Sequence, residues 1–336
     1  MANQTRDNII RKRKIRRKRR RIAVFRLLFL LVVFGLLVSA VVFVGYAVIN
    51  WGRHIYYEYQ EMYQGYTQRQ ETKRGTIDPK FDGYTNVLIL GLDDGAAEGR
   101  TAGPNADTIM LMSMVNESGR VRIITIPPDT WVSVPGGGEE RLSALYPQGG
   151  APLMVRSLSA LLGISIHQYI AIDMKTFADL IDILGGVDAY VEEDMNYDDA
   201  EGNISIHLPQ GYQHLNGKQA QQYLRYRSDD LDDLGRMQRQ QRFCKALYQN
   251  LLQLRTLTKL PTIAEIIKQR VETSAEIFDS VYLANTLRHL SSVPPESIIL
   301  PGAPAADDPS IWVLDDAAAA QRIQELFPAE GPSEEK

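Results

Sequence analysis

Three patterns of hydrophobic and polar positions follow one another along the chain. From Leu27 to Ile49, LLFLLVVFGLLVSAVVFVGYAVI, no residue carries a charge. From Trp51 to about residue 80 the apolar positions lose any period, and Tyr and Gln dominate. From Asn86 onward, short apolar runs alternate with amphipathic stretches bounded by Gly and Pro. In that third region NVLILGLDD reads as a buried strand running into a loop, and TIMLMSMV (108–115) and RVRIITIP (120–127) as two more strands. QYIAID (168–173), VDAYVE (187–192), ISIHL (204–208) and SIILP (297–301) continue the strand series. Helices are expected over about 152–162, closed by Gly163, over 176–184, closed by Gly185–Gly186, and from Asn216 to about Leu224. A long helix is expected over about 234–255, with shorter ones over 262–270 and 279–290. Strands alternating with helices predict an α/β domain: a mixed central β-sheet with helices on both faces.

The uncharged run of 23 residues spans about 34 Å as a helix, enough for a hydrocarbon core of about 30 Å. Tyr46, Trp51, Tyr56 and Tyr57 follow it, where interfacial aromatics belong. The run is longer than the apolar core of a cleaved signal peptide, and no small-residue cleavage site follows Ile49. A single N-terminal transmembrane helix over 27–49 is therefore expected. It divides the chain into a basic arm (1–26), the span, a stalk (50–80), one large domain (81–328) and a polar tail (329–336).

Charge sharpens this division. Residues 1–26 carry twelve Lys or Arg and one acid, so a net charge of −4 for the whole chain leaves −15 for the rest. The positive-inside rule places the arm in the cytoplasm and the large domain outside the cell membrane. A polybasic run abutting a span signals topology and contact with anionic membrane lipid, not a nucleic-acid partner. The single cysteine, Cys244, excludes an intrachain disulfide and a cysteine-based metal cluster. A disulfide-free external domain fits a Gram-positive-type cell surface.

Candidate chemistry lies at strand ends and helix starts. Asp93 follows the first buried strand and Asp107 opens the next, so the two can meet at one sheet edge and hold a hard cation. Mg2+ needs only one or two carboxylates, completing its octahedron with water and phosphate oxygens. Aspartates at strand ends are equally ordinary turn formers. In YLRYRSDDLDDLGRMQRQQ (223–241), Arg225 and Arg227 share a face in extended chain. Arg236, Arg239 and Gln240 share a face of a helix, and Asp233 is placed to cap it. Guanidinium groups match phosphate oxygens bidentately, so these two sets can clamp a pyrophosphate. The alternative is a network of surface Arg–Asp pairs, each worth about 0–1 kcal/mol.

The wording and order of these segments resemble the LytR-CpsA-Psr (LCP) family of cell-wall glycopolymer transferases. NVLILGLDD, ADTIMLMSM, IPPDTWVSVPG, RLSALYPQGG, LLGISIHQYIAIDMKTFADLIDILGGVDAYV, YLRYR and DDLGRMQRQQ carry the resemblance across about residues 84–250. It implies transfer of a glycopolymer from a polyprenyl-pyrophosphate carrier onto peptidoglycan, making a phosphodiester, with an apolar pocket for the lipid tail. By motif position it implies Asp93 and Asp107 as Mg2+ ligands. It implies Arg141, Arg225, Arg227, Arg236, Arg239 and Gln240 as pyrophosphate ligands. It places Asp107, Arg225, Arg227 and Asp233 at the chemistry, with either Asp107 or Asp233 to accept the acceptor hydroxyl proton. The helix over 176–184 is expected to help line the lipid pocket. Two positions depart from the pattern. Asn105 and Pro128 stand where the family usually has arginine, and Arg141 stands where it often has lysine. The departures leave two further readings open: a catalytically weak relative that binds or regulates, and an enzyme that hydrolyses the pyrophosphate with water as acceptor.

Overall fold

A computed structural model describes residues 37, 39, 41–54, 56–57, 78–93, 103–134, 137–199, 204–226, 232–275 and 280–328. The chain divides into two units, Met1–Gly75 and Thr76–Lys336. In the first, residues 41–54 are helical and expose Val41, Val42, Phe43, Val44, Val48, Ile49 and Trp51. Most of the expected span over 27–49, the basic arm, most of the stalk and the tail lie outside the described residues. Among the described residues no helix is long and apolar enough to cross a membrane.

The second unit is built on one mixed sheet. Its strands are β1 (Tyr84–Leu92), β2 (Ala106–Val115), β3 (Val121–Ile126), β6 (Gln168–Asp173), β11 (Glu272–Thr273) and β12 (Glu296–Ile299), in the order β11-β6-β1-β2-β3-β12. β1 is parallel to β6 and β3 to β12, while β2 runs antiparallel to both its neighbours. Four carboxyl strand ends, those of β1, β3, β6 and β12, therefore share one edge of the sheet. Local two-stranded ribbons complete the β structure: β4 (Trp131–Ser133) with β5 (Glu139–Arg141), β7 (Val187–Val191) with β10 (Gly211–Leu215), β8 (Met195–Asp199) with β9 (Ile204–Leu208), and β13 (Gly302–Pro304) with β14 (Trp312–Leu314).

The helices are α1 (Tyr146–Leu162), α2 (Met174–Leu184), α3 (Gly217–Arg225), α4 (Asp232–Leu251), α5 (Leu254–Leu257), α6 (Leu260–Arg270), α7 (Ser280–His289) and α8 (Asp316–Leu326). The helix expected from residue 152 begins at Tyr146 and crosses a kink. Gly150 there has φ 62°, which a side chain would strain. The helix expected over 234–255 runs from Asp232 to Leu251, so Asp233 lies inside its first turn and is not its cap. α8 was not expected. Asp315 caps it, accepting a hydrogen bond from the Ala318 N–H at 3.0 Å.

The two sheet faces are packed differently. Alternate residues point to opposite faces. Leu88, Leu90, Ile109, Leu111, Ile124 and Ile126 meet α1 and α8 through Met154, Leu158 and Ile323 in one sealed core. On the other face Met110, Val121 and Ile123 pack on Tyr248 of α4, with half-buried Ile89, Met112, Met114 and Cys244 around them. Ile170 and Ile172 of β6, although in an interior strand, remain half-exposed on this side. Between α2, α4, α6 and α7 a further apolar cluster has only Leu184, Leu260 and Ile263 fully buried, with Leu180, Leu247 and Leu283 half-buried.

Candidate active site

The edge that gathers the carboxyl strand ends also carries the aspartates. Asp93 directly follows β1. Its Oδ1 accepts the Asn105 backbone N–H at 2.8 Å, and its own N–H donates to the Asn105 carbonyl at 3.1 Å. This two-way clasp closes the loop between β1 and β2. In β2, Thr108 pairs with Gly91 but Ala106 pairs with Leu92, so Asp107 is one residue too many for its partner strand. A bulge of this kind bends the strand and re-aims the extra side chain. Asp173, which sequence reasoning missed, ends β6 opposite Leu92. Its carboxylate is committed to the start of α2, accepting from Thr176 N at 2.7 Å and Thr176 Oγ1 at 2.8 Å. The positive end of the α2 dipole therefore also faces this edge.

α4 crosses the loosely packed face and brings the arginines. The Gln240 amide donates to Thr108 Oγ1 at 3.0 Å, and Cys244 Sγ lies 3.7 Å from Met110 Sδ. Four residues of helix advance about 6 Å and two of strand about 6.8 Å, so helix and strand keep step. Arg236 lies one turn before Gln240 on the same helix face. Gln241 fixes the crossing by donating to Thr125 Oγ1 at 3.0 Å and the Ile298 carbonyl at 2.7 Å. Arg236, Arg239 and Gln240 are 6, 3 and 6% exposed. Arg239 makes no ion pair among the described residues, and its buried Nε finds no acceptor there.

α3 delivers the remaining arginine. Arg225 is its last residue and is exposed; Arg227 lies outside the described residues, as does the side chain of Asp233. Tyr226 follows Arg225 with extended backbone. Its carbonyl accepts Arg239 Nη2 at 2.8 Å, and the Arg239 guanidinium lies 5.2 Å from its ring centroid. Beneath, the Tyr223 hydroxyl donates to Glu192 Oε1 at 2.9 Å, and Arg242 Nε pairs with the same oxygen at 2.5 Å. Burial, seconded by the Glu192 charge, pushes the Tyr223 phenol up to about 12.

Arg141 has a local partner set. It pairs with Asp129 at 3.2 Å and donates to Ser310 Oγ at 3.1 Å, tying the β4–β5 ribbon to the segment before β14. Pro128 is buried, and its carbonyl accepts the Ser143 N–H at 2.9 Å, so the turn after β3 closes without an arginine there. No group of three or more His, Cys, Asp or Glu among the described residues is arranged to hold a metal. Asp93 and Asp107 remain a donor set that Mg2+ accepts in company with phosphate oxygens and water. Thr108 and Tyr226 were legible only as neighbours of Asp107 and of the arginines.

Aspartates at the strand ends and two buried arginines on the helix over the same sheet are the candidate site of this α/β domain. The chain belongs to the LytR_cpsA_psr family, whose model matches residues 52–326. It is 32% identical over 198 residues to the regulatory protein MsrR of Staphylococcus aureus, covering 58% of each chain. It is 26% identical over 240 residues to the polyisoprenyl-teichoic acid–peptidoglycan teichoic acid transferase TagV of Bacillus subtilis, covering 70% of this chain and 61% of TagV. The chain thus spans about six tenths of the length of these relatives. The crystal structure of B. subtilis TagV superposes with a TM-score of 0.61 at 24% identity, covering 73% of this chain and 97% of that one. A structure of TagT bound to LI-WTA gives 0.60 at 22% identity, covering 76 and 97%. These likenesses establish the fold.

Proposed function

We propose that this protein is a membrane-anchored phosphotransferase that moves a glycopolymer from a polyprenyl-pyrophosphate carrier onto peptidoglycan. The observation that carries the reading is the burial of Arg236 and Arg239, three residues apart on one helix face, at the sheet edge that bears Asp93 and Asp107. Arg239 makes no ion pair among the described residues, and a buried guanidinium in that state is costly unless an anion neutralises it. A pyrophosphate supplies that anion.

In this reading Arg236, Arg239 and Gln240 hold the pyrophosphate from α4, and Arg225 and Arg227 hold it from the end of α3. Asp93 and Asp107 would hold Mg2+, which would supply charge neutralisation at the phosphate oxygens. An acceptor hydroxyl oxygen attacks the glycan-bearing phosphorus. The bond from that phosphorus to the bridging oxygen breaks, and polyprenyl phosphate leaves. The hydroxyl proton passes to Asp107 or Asp233. Phosphoryl transfer needs alignment and charge neutralisation more than covalent work by the protein, and this residue set supplies both. The half-buried apolar cluster around α2, α4, α6 and α7 suits the polyprenyl chain. A membrane anchor over 27–49, with the domain outside, would place the enzyme where carrier and wall meet.

The second reading is a lipid-pyrophosphate binding or regulatory protein, and the buried Pro128 in an expected arginine position favours it. One experiment separates the two. The full-length protein is given a synthetic polyprenyl-pyrophosphate glycan and peptidoglycan oligomers, with and without Mg2+, beside Arg236→Ala. Metal-dependent product that disappears in the variant is the expected result. Lipid binding with no product at any Mg2+ concentration would establish the second reading instead.

A further inference from the structure

We infer that Tyr226 is a positioning residue of this site, one that locks the Arg239 guanidinium and joins the end of α3 to α4 as a single clamp. The inference rests on the transferase reading above. Arginine is flexible and loses much rotamer freedom when it binds. Arg239 has lost it already. Its guanidinium carbon lies 5.2 Å from the Tyr226 ring centroid, its Nη2 donates to the Tyr226 carbonyl at 2.8 Å, and the residue is 3% exposed. One residue thus grips the cation through both its π-face and its backbone.

The grip works in both directions. Tyr226 directly follows Arg225, so fixing it on α4 fixes where the chain leaves α3. Its own N–H is held by the Gln222 carbonyl at 3.1 Å, which anchors the turn to the helix before it. The end of α3 and the Arg239 guanidinium of α4 are thereby tied together before any ligand arrives. Prearranged charge is what a diphosphate with two anionic centres requires.

The test compares Tyr226→Phe, which keeps the ring, with Tyr226→Leu, which removes it and leaves the carbonyl. Both are made in full-length protein solubilised in detergent micelles, alone and with Arg239→Lys. The first readout needs no ligand: the Arg239 Nε–H resonance in 15N-arginine-labelled protein. It should move in Tyr226→Leu and stay within its wild-type environment in Tyr226→Phe. The second readout is kinetic, with the synthetic polyprenyl-pyrophosphate glycan. Tyr226→Leu should raise KM about tenfold with kcat changed less than threefold, and Tyr226→Phe should restore wild-type KM to within twofold. In the Arg239→Lys background the same Leu substitution should add less than twofold. An unmoved resonance, or a Leu effect that persists undiminished beside Arg239→Lys, overturns the inference. Should Tyr226→Leu lower the melting temperature, Tyr226→Trp, which keeps a π-face, must recover the kinetics or the inference falls. Wild-type protein that never uses the lipid sinks the transferase reading, while the resonance still decides the role of Tyr226.

Discussion

Gln240 and Thr108, 132 positions apart in sequence, are joined by a 3.0 Å hydrogen bond from side-chain amide to hydroxyl. Thr108 in turn lies opposite Gly91 on the neighbouring strand. A Cβ at Gly91 would sit 2.9 Å from Thr108 Cβ. A strand glycine, a threonine beside the Asp107 bulge and a helix glutamine thus form one chain of contacts that sets α4 on the sheet.

Gly91→Ala should accordingly push Thr108 away and loosen Gln240. Overpacking of this kind costs about 1–3 kcal/mol. The expected outcome is a melting temperature lower by a few degrees together with weaker lipid-pyrophosphate binding. Unchanged binding in a folded Gly91→Ala protein would show that the crossing of α4 does not depend on this contact.

Arg239 offers the opposite pattern. It is buried with no ion-pair partner among the described residues, so Arg239→Gln relieves an uncompensated charge while the ligand-free protein loses one hydrogen bond and a ring contact. Stability should stay within about 1 kcal/mol of wild type or rise. Transfer should fall by about 10²-fold or more. Parallel denaturation curves and kinetics check the split; a large loss of stability would mark Arg239 as structural.

Alkaline pH should weaken the fold in a predictable window. Burial pushes the Cys244 thiol up from 9.0 to about 12. The folded state therefore keeps a proton that the unfolded chain releases above about pH 9. Stability is complete below that pH and falls by about 1.4 kcal/mol per pH unit toward pH 12. Tyr223, raised from 10.0 to about 12, adds to the loss at the upper end. Denaturation midpoints in Cys244→Ala should hold about one pH unit further before falling, and alkylation of Cys244 at pH 8 should be slower in the native protein than in the unfolded chain.

The two departures from the family pattern make different predictions. At position 105 the Asp93 clasp uses backbone groups, so Asn105→Ala should keep the carboxylate in place, whereas Asn105→Pro removes the N–H and should abolish activity. At position 128 the Ser143 N–H bonds a backbone carbonyl, which arginine also has. Pro128→Arg should therefore fold and, through one added charge-assisted contact, raise kcat/KM by about tenfold or more. Steady-state kinetics of the three variants decide each point.

The sheet was legible because β1, β2, β3 and β6 are apolar runs with sharp ends, and Asn216 and Gly185 mark helix boundaries as their chemistry requires. The strands of the ribbons were half legible. VDAYV and ISIHL read as strands, but their partners GYQHL and MNYDD carry polar residues on the outward face and too little apolar content to stand out. α8 was overlooked because four alanines give no apolar period, although Asp315 signals its start. The arginine spacing on α4 was readable from sequence. What could not be read was depth: i, i+3, i+4 positions share a face whether that face is solvated or buried, and here it is buried.

One consequence of the α4 crossing concerns length. The same rigid helix presents guanidinium groups at its start and Cys244 and Tyr248 against the methionine-rich sheet face further along. In the proposed reading, the separation between these guanidinium groups and the apolar part of the helix, at about 1.5 Å per residue, would gauge the distance from a ligand's charged head to its tail. Adding one residue between Gln240 and Cys244 would turn the two ends about 100° out of phase, leaving charge and oil recognition each intact and no longer on speaking terms.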